Sequence, residues 1–315
     1  MSDAVANVVE VRGLVKRYGS FLALDGIDLD VSGGEAFGFI GPNGAGKTTL
    51  IRTMLDLLRP SEGAVLLFGL DSRAEARRIH ARIGYVPGDL TLWEKFTARE
   101  TLAFLSGQRG GAGSDAVEPL AERLGLSLDR TIKELSKGNR EKVGLVQAFM
   151  HDPELVILDE PTSGLDPLVQ REVFELIAEA RGRGRTVFFS SHRLEEVERV
   201  ADRVGVIREG KMVALDSVAG LKRDAARRVE VRFDESVSSA AAERALAGLP
   251  GIGDLRVADG HAHMTVSGSM DPLVKKLAGL PVRELSAPEP DLEELFLGMY
   301  SAEPAAEDGR EERSR

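Results

Sequence analysis

The sequence predicts an α/β fold built on a largely parallel sheet, followed by a smaller α+β domain. Three observations carry that prediction. Up to about residue 215, apolar runs of strand length alternate with stretches of helical spacing. A glycine-rich loop joins one of those runs to the helix that follows it. Beyond Lys222 alternation returns on a smaller scale, in the order β-α-β-β-α-β of a ferredoxin-like module.

Val8-Val9-Glu10-Val11 and Ile27-Asp28-Leu29-Asp30-Val31 alternate as half-buried strands, with Tyr18-Gly19 in the turn region between them. Ser32-Gly33-Gly34 punctuates before Ala36-Phe37-Gly38-Phe39-Ile40, an apolar run that reads as a buried strand. Residues 50–58 space their apolar side chains as a helix. Further strands are predicted at 64–68 and 83–87, with a short charged helix at 74–80 between them. Residues 97–126 are helical apart from a glycine-rich stretch at 106–114, read as a mobile linker without chemistry. Then come a strand at 155–158, a helix at 168–180, a strand at 187–190, a helix at 195–201 and a strand at 204–207. Glu209-Gly210 turns the chain into a last strand at 212–214. The second domain is expected to contain strands at 229–233, 255–257, 262–266 and 282–285, with helices at 238–249 and 271–277. An amphipathic helix at 291–300 and a charged, disordered tail at 301–315 complete the reading. The expected domains are therefore 1–220 and 221–300.

Composition narrows the function classes. The chain has 315 residues, 43% of them hydrophobic and 29% charged, an ordinary globular balance. A formal net charge of −10 argues against a general nucleic-acid binder, and no nucleic-acid partner is expected. The absence of cysteine excludes disulfides, thiolate metal sites and cysteine catalysis. Residues 1–7 lack the basic and apolar regions of a leader, and no apolar run approaches the roughly 20 residues of a membrane span. The expectation is a soluble, cytoplasmic chain whose membrane role, if any, comes through a partner.

The chemistry centres on Gly41-Pro42-Asn43-Gly44-Ala45-Gly46-Lys47-Thr48-Thr49, which matches the phosphate-binding pattern GxxxxGK[ST] between a strand and a helix. Glycines there let successive backbone N–H groups turn inward around a polyphosphate, and the helix N-terminus adds its positive dipole end. Lys47 would reach the β- and γ-phosphates, and the Thr48 hydroxyl would ligate Mg²⁺. A second site of chemistry is Leu158-Asp159-Glu160, where two acids end an apolar strand at the same sheet edge. Asp159 can hold Mg²⁺ and Glu160 can polarise an attacking water, the minimum that phosphoryl transfer needs beside a lysine. A helix cap is the alternative for either acid alone.

These motifs, in this order, resemble the nucleotide-binding subunit of an ATP-binding-cassette (ABC) transporter. The resemblance spans residues 8–215. It rests on GPNGAGKTT at 41–49, LSKG at 135–138, LVILDEP at 155–161, SGLD at 163–166 and SSH at 190–192. It implies a P-loop NTPase fold of ABC type with a helical signature subdomain over about 89–152, and ATP with Mg²⁺ as cofactors. It further implies that Tyr18 stacks on adenine, that His192 contacts the γ-phosphate and helps hold the attacking water, and that Ser136 and Gly138 reach the γ-phosphate bound by an opposite subunit. Asp166 resembles the loop aspartate that communicates across the dimer. Core or turn packing is the alternative for Tyr18, and a structural role the alternative for His192. The implied partners are an integral-membrane permease and a second ATPase subunit, an identical chain in the simplest case, arranged head to tail. The implied location is the inner face of the cell membrane, peripheral and through the permease.

The sequence also departs from the family pattern. Lys137 and Asn139 stand where the signature has glycine and glutamine, so a positive φ at Lys137 would be strained. Gly88 stands where a glutamine senses Mg²⁺, leaving Asp89 or a water to replace it. Trp93, the single tryptophan, falls in the region that faces the permease; interface anchoring and packing within the helical subdomain are both open for it. The segment Asp291-Leu292-Glu293-Glu294-Leu295-Phe296-Leu297 is similar to the tails of ATPases serving multidrug, antibiotic or lipid exporters. The preferred expectation is an ATP-hydrolysing subunit that powers such an exporter. The alternatives are a soluble non-transport ABC ATPase and a nucleotide-dependent regulatory switch.

Overall fold

Residues 6–224 and 226–288 are described by a computed structural model; the helix expected at 291–300 and the tail at 301–315 lie outside the described residues. The chain separates into two compact units between Val218 and Ala219.

The first unit runs β1 (Asn7–Tyr18), β2 (Phe21–Ser32), β3 (Ala36–Ile40), α1 (Lys47–Met54), β4 (Glu62–Leu67), β5 (Leu70–Asp71), α2 (Ala76–His80), β6 (Ile83–Val86), α3 (Ala98–Gln108), α4 (Val117–Arg123), α5 (Lys137–Phe149), β7 (Leu155–Asp159), α6 (Pro167–Gly182), β8 (Thr186–Ser191), α7 (Leu194–Val200), β9 (Arg203–Arg208) and β10 (Lys211–Ser217). Two sheets result. An antiparallel sheet has the order β2-β1-β4-β5. The second has the order β10-β9-β3-β8-β7-β6, parallel throughout except for β10 at its edge.

Every residue of β3, β7 and β8 is buried, which is why these strands read as apolar runs, closed by Asp159 in β7 and by Ser190-Ser191 in β8: a parallel strand covered on both faces has no solvent side to keep polar. Phe37 and Phe39 of β3 pack on Phe188 of β8, each with ring centroids 5.6 Å apart, and anchor the core. The helices start where capping residues satisfy free N–H groups. Thr97 and Glu100 form a reciprocal capping box on α3, Ser136 caps α5, and Asp166 with Pro167 opens α6. Helices α3, α4 and α5 form the insertion between β6 and β7, with α3 and α4 packed on α5 and α5 packed on β6. The glycine-rich stretch at 106–114 differs from the expected mobile linker. Helix α3 continues through Ser106, the Ser106 hydroxyl donates to the carbonyl of Ala112, and the Gly111 N–H donates to the carbonyl of Ser106.

The second unit begins within α8 (Val218–Asp224) and runs β11 (Arg227–Phe233), α9 (Ser239–Leu246), β12 (Ile252–Ala258), β13 (His261–Val266), α10 (Asp271–Leu277) and β14 (Val282–Ser286). Its strands form one antiparallel sheet in the order β12-β13-β11-β14. Alternation sorts the faces: Val229, Val231, Phe233, Ala262, Met264 and Val266 are buried with Leu246 and Leu273 of the helices, and the residues between them face away. The β12–β13 hairpin turns at Asp259-Gly260, with φ of 50° and 77°.

Candidate active site

The parallel register brings three loops to one edge. Ile40 pairs with Ser191 across β3 and β8, and Asp159 pairs with Ser190 across β7 and β8. The glycine loop, the acid pair and Ser190-Ser191-His192 therefore leave the sheet at adjacent carboxyl ends, where parallel α/β folds bind their ligands.

The glycine loop enters α1 through Gly46, whose φ of +114° is a conformation that a side chain rarely adopts. A Cβ at Gly46 would also lie 2.7 Å from the carbonyl of Ala23. Lys47, the first residue of α1, is buried and donates from Nζ to the carbonyls of Gly41 at 2.7 Å and Pro42 at 3.2 Å. Its Nζ is also 3.3 Å from Oε1 of Glu160. The other oxygen of that carboxylate, Oε2, lies 3.2 Å from Nδ1 of His192. A carboxylate only accepts, so Nδ1 carries the proton of this bond and Nε2 remains for another partner. Glu160 itself has a φ of +51°, a left-handed conformation that costs a residue with a Cβ about 1–2 kcal/mol. Its backbone N–H is held by the Ser190 hydroxyl at 3.0 Å.

Asp159 is almost wholly buried. Its Oδ1 accepts from the Ser190 hydroxyl at 2.6 Å, whereas Oδ2 is buried with no hydrogen-bond partner among the described residues. A buried carboxylate oxygen with its lone pairs uncommitted, in a site that also offers a threonine hydroxyl, has the donor chemistry of a hard divalent cation. The same charge, together with burial, pushes the Tyr85 phenol up to about 12, burial being the larger cause. Gly88 faces this carboxylate, since a Cβ there would lie 3.4 Å from Oδ2. Asp89 is exposed, and its negative charge adds to the burial that raises Glu141 above its ordinary value.

The remaining predicted residues sit further out. Tyr18 is half-exposed at the end of β1, with the Lys16 ammonium 5.0 Å above its ring. Ser136 accepts from the N–H of Asn139 as the cap of α5. Gly138 approaches the SGLD loop so closely that a Cβ would lie 2.9 Å from the carbonyl of Gly164. Asp166 accepts from the N–H groups of Leu168 and Val169, both at 3.1 Å. Lys137 occupies the first turn of α5 without a positive φ, so the strain expected of a residue replacing glycine is absent. Its aliphatic stem lies against Gly164. Trp93 meets Phe96 and Phe104 edge to face, with centroids 6.1 and 5.1 Å away, and all three rings stay about half-exposed.

Sequence reasoning missed a buried carboxylate behind the site. Glu196 of α7 accepts from Thr162 at 2.8 Å on Oε1 and from Ser191 at 2.7 Å on Oε2, and Arg193 reaches Oε1 at 3.3 Å. It thereby ties the loop after Glu160 to the residue before His192. A cleft of about 200 Å³ lies over this junction, lined by Glu160, Ser163, Gly164 and His192 among others. The signal available in the sequence was the pair Ser190-Ser191, polar side chains closing an otherwise apolar strand.

Comparison with known proteins agrees with this geometry. The sequence profile of the family described as ABC transporter matches residues 24–163. The chain is 33% identical over 296 residues to the bacitracin transport ATP-binding protein of Enterococcus faecalis, covering 92% of this chain and 95% of that protein. It is 32% identical to the daunorubicin/doxorubicin resistance ATP-binding protein of Streptomyces peucetius, covering 99% and 98%. The solved structure of the ATP-binding subunit of an ABC transporter superposes with a TM-score of 0.65 at 29% identity, over 69% of this chain and 92% of that one. With the phosphate loop, the acid pair and His192 at one sheet edge and full-length relatives of this kind, the chain belongs to the ABC transporter family as an ATP-binding, ATP-hydrolysing subunit.

Proposed function

We propose that this chain hydrolyses ATP with Mg²⁺ at the carboxyl ends of β3, β7 and β8 and so powers a separate membrane permease of exporter type. The observation that carries the chemistry is the convergence of Lys47, Asp159, Glu160 and His192 on one sheet edge.

Phosphoryl transfer needs placement and charge neutralisation more than covalent help. The N–H groups of the loop from Gly41 to Thr49 and the N-terminus of α1 receive the β- and γ-phosphates. Lys47 exchanges its contact with Glu160 for phosphate oxygens. Glu160, released from the ammonium, orients the attacking water and accepts its proton. His192 stays hydrogen-bonded to Glu160 through Nδ1 and offers Nε2 to the γ-phosphate. The Asp159 carboxylate and the Thr48 hydroxyl would hold Mg²⁺, which when bound neutralises charge on the phosphate oxygens. Tyr18 supplies a ring face for adenine. Ser136 and Gly138, at the N-terminus of α5, serve the nucleotide of a second subunit in a head-to-tail dimer, with Asp166 in the loop between the two sites.

The exporter reading draws on the two full-length relatives, one named for bacitracin transport and one for drug resistance. The half-exposed cluster of Trp93, Phe96 and Phe104 supplies a permease-facing anchor, and no helix among the described residues is long and apolar enough to cross a membrane. The chain then sits on the inner membrane face through its permease. A soluble, non-transport ATPase is not favoured, because the full-length similarity is to transport and resistance proteins. The test is a pull-down of tagged chain from detergent-solubilised native membranes, with mass spectrometry of what copurifies. A stoichiometric polytopic membrane protein is the expected result. Recovery only from the soluble fraction, bound to ribosomes or to nothing, would overturn the reading.

A further inference from the structure

The second unit carries a cluster of side chains that ATP chemistry does not use. His261 and His263 are two residues apart on β13, so both project from the sheet face opposite the one covered by α9 and α10. Glu230 on β11 pairs directly with His263 and lies 3.2 Å from Nδ1 of His261 through Oε1. The two imidazole rings lie nearly parallel, 10° apart in plane, with centroids at 6.3 Å. One ligand atom from each of the three residues can be chosen so that all lie within 4.8 Å of one another.

We propose that Glu230, His261 and His263 form a binding site for a single divalent transition-metal ion of the Zn²⁺ class. The donor set favours that class: two imidazoles and one carboxylate suit Zn²⁺, Ni²⁺ or Cu²⁺, whereas Mg²⁺ and Ca²⁺ take oxygen ligands. Tetrahedral Zn²⁺ with ligands at about 2.0–2.1 Å holds its donor atoms about 3.3–3.5 Å apart. The separation of up to 4.8 Å closes by rotation of side chains on a solvent-facing sheet, with the strands left in place. Three protein ligands leave a fourth position for water, the arrangement of an accessible rather than a closed structural site. Nearby cations bear on the affinity. Arg256 of β12 pairs with His263, and Arg232 opposite His261 is drawn toward Glu284, 3.6 Å away. A bound ion would bridge β11 and β13, the two central strands of this sheet, and give the second unit a metal-dependent stability separate from the nucleotide site.

The test uses the full chain with any histidine tag removed, titrated with Zn²⁺ against a chromophoric chelator in the absence of nucleotide. One Zn²⁺ per chain is expected, undisplaced by excess Mg²⁺, with a zinc-induced rise in melting temperature. His261→Asn and His263→Asn should each weaken binding at least about tenfold, and the double variant should abolish both binding and the melting shift. Because these side chains face solvent, the metal-free variants should melt as the metal-free natural chain does; Glu230→Gln supplies an independent variant should one histidine change perturb the sheet. Asp159→Asn should leave Zn²⁺ binding intact. Equal stoichiometry and affinity in the natural chain and the double variant, or loss of the ion with Asp159→Asn alone, would overturn the proposal.

Discussion

The hydroxyl of Ser190 donates a 2.6 Å hydrogen bond to Oδ1 of Asp159, its cross-strand neighbour, and at the same time accepts the backbone N–H of Glu160 at 3.0 Å. One side chain thus sets both acids. Ser190→Ala removes the one hydrogen-bond partner that this buried carboxylate has among the described residues, an interaction worth about 1.5–3 kcal/mol for a charged acceptor. Lower thermal stability and an ATP turnover reduced by at least about tenfold are expected. Calorimetry and steady-state ATPase measurement check this; natural stability with natural turnover would contradict it.

Glu196 joins Thr162 to Ser191 from behind the site. Glu196→Ala should destabilise the first unit by about 1.5–3 kcal/mol. Because the side chain acts through Thr162 and Ser191 rather than on nucleotide, kcat should fall while KM for ATP changes by less than about twofold. A raised KM with unchanged kcat would instead mean that it supports binding alone.

The cluster of Trp93, Phe96 and Phe104 meets edge to face yet leaves each ring about half-exposed. Trp93→Ala combined with Phe104→Ala should weaken association with the permease by about 2 kcal/mol or more, the magnitude of an aromatic interface anchor. Quantitative copurification from membranes reads this directly. Unchanged copurification together with a large fall in melting temperature would assign the rings to internal packing.

His151 predicts a pH dependence of stability. Its Nε2 donates to the carbonyl of Ile83 at 3.2 Å, and the ring is largely buried. Burial first, then the Arg109 guanidinium, lowers its affinity for a proton, against smaller opposing pulls from the backbone at Ile83 and Gln147 and from Asp152. The folded chain therefore favours the neutral ring, and the unfolded chain binds the extra proton at and below the ordinary value of 6.5. This stabilising contribution is present above that value and is lost as the pH falls below it. The denaturant midpoint should drop between about pH 7.5 and about pH 5.5, and His151→Gln should drop less. An equal drop in both would remove His151 as the cause.

Much of the first unit is legible in the sequence because burial on both faces of β3, β7 and β8 leaves a mainly apolar record. Helix α6 is longer than its apolar spacing indicates, because the Asp166 cap starts it at Pro167 and its last turn runs on to Gly182 past Ala180, the last buried side chain. Strand β1 runs to Tyr18 although its alternation fails after Val11, since register shifts against β2 on both sides of Leu14 break the period of two. The positions of Lys47, Asp159, Glu160 and His192 follow from local motifs. Glu196 does not, because an acid on a short charged helix reads as a solvent face until Thr162 and Ser191 are packed against it. The backbone at Lys137 was equally hidden: the family's glycine suggests a positive φ, whereas the Ser136 cap places Lys137 in an ordinary first helical turn.

The most direct test of the central claim compares the natural chain with Glu160→Gln in two assays run in parallel, equilibrium binding of ATP·Mg²⁺ and steady-state release of phosphate. The substitution keeps the shape of the side chain and removes the charge that contacts Lys47 and that we propose accepts a proton from water. Binding at least as tight as in the natural chain, with turnover reduced by about 10²–10⁴-fold, is the predicted result. Turnover undiminished by the substitution would contradict the assignment of Glu160, and with it the reading of this sheet edge as the site of hydrolysis.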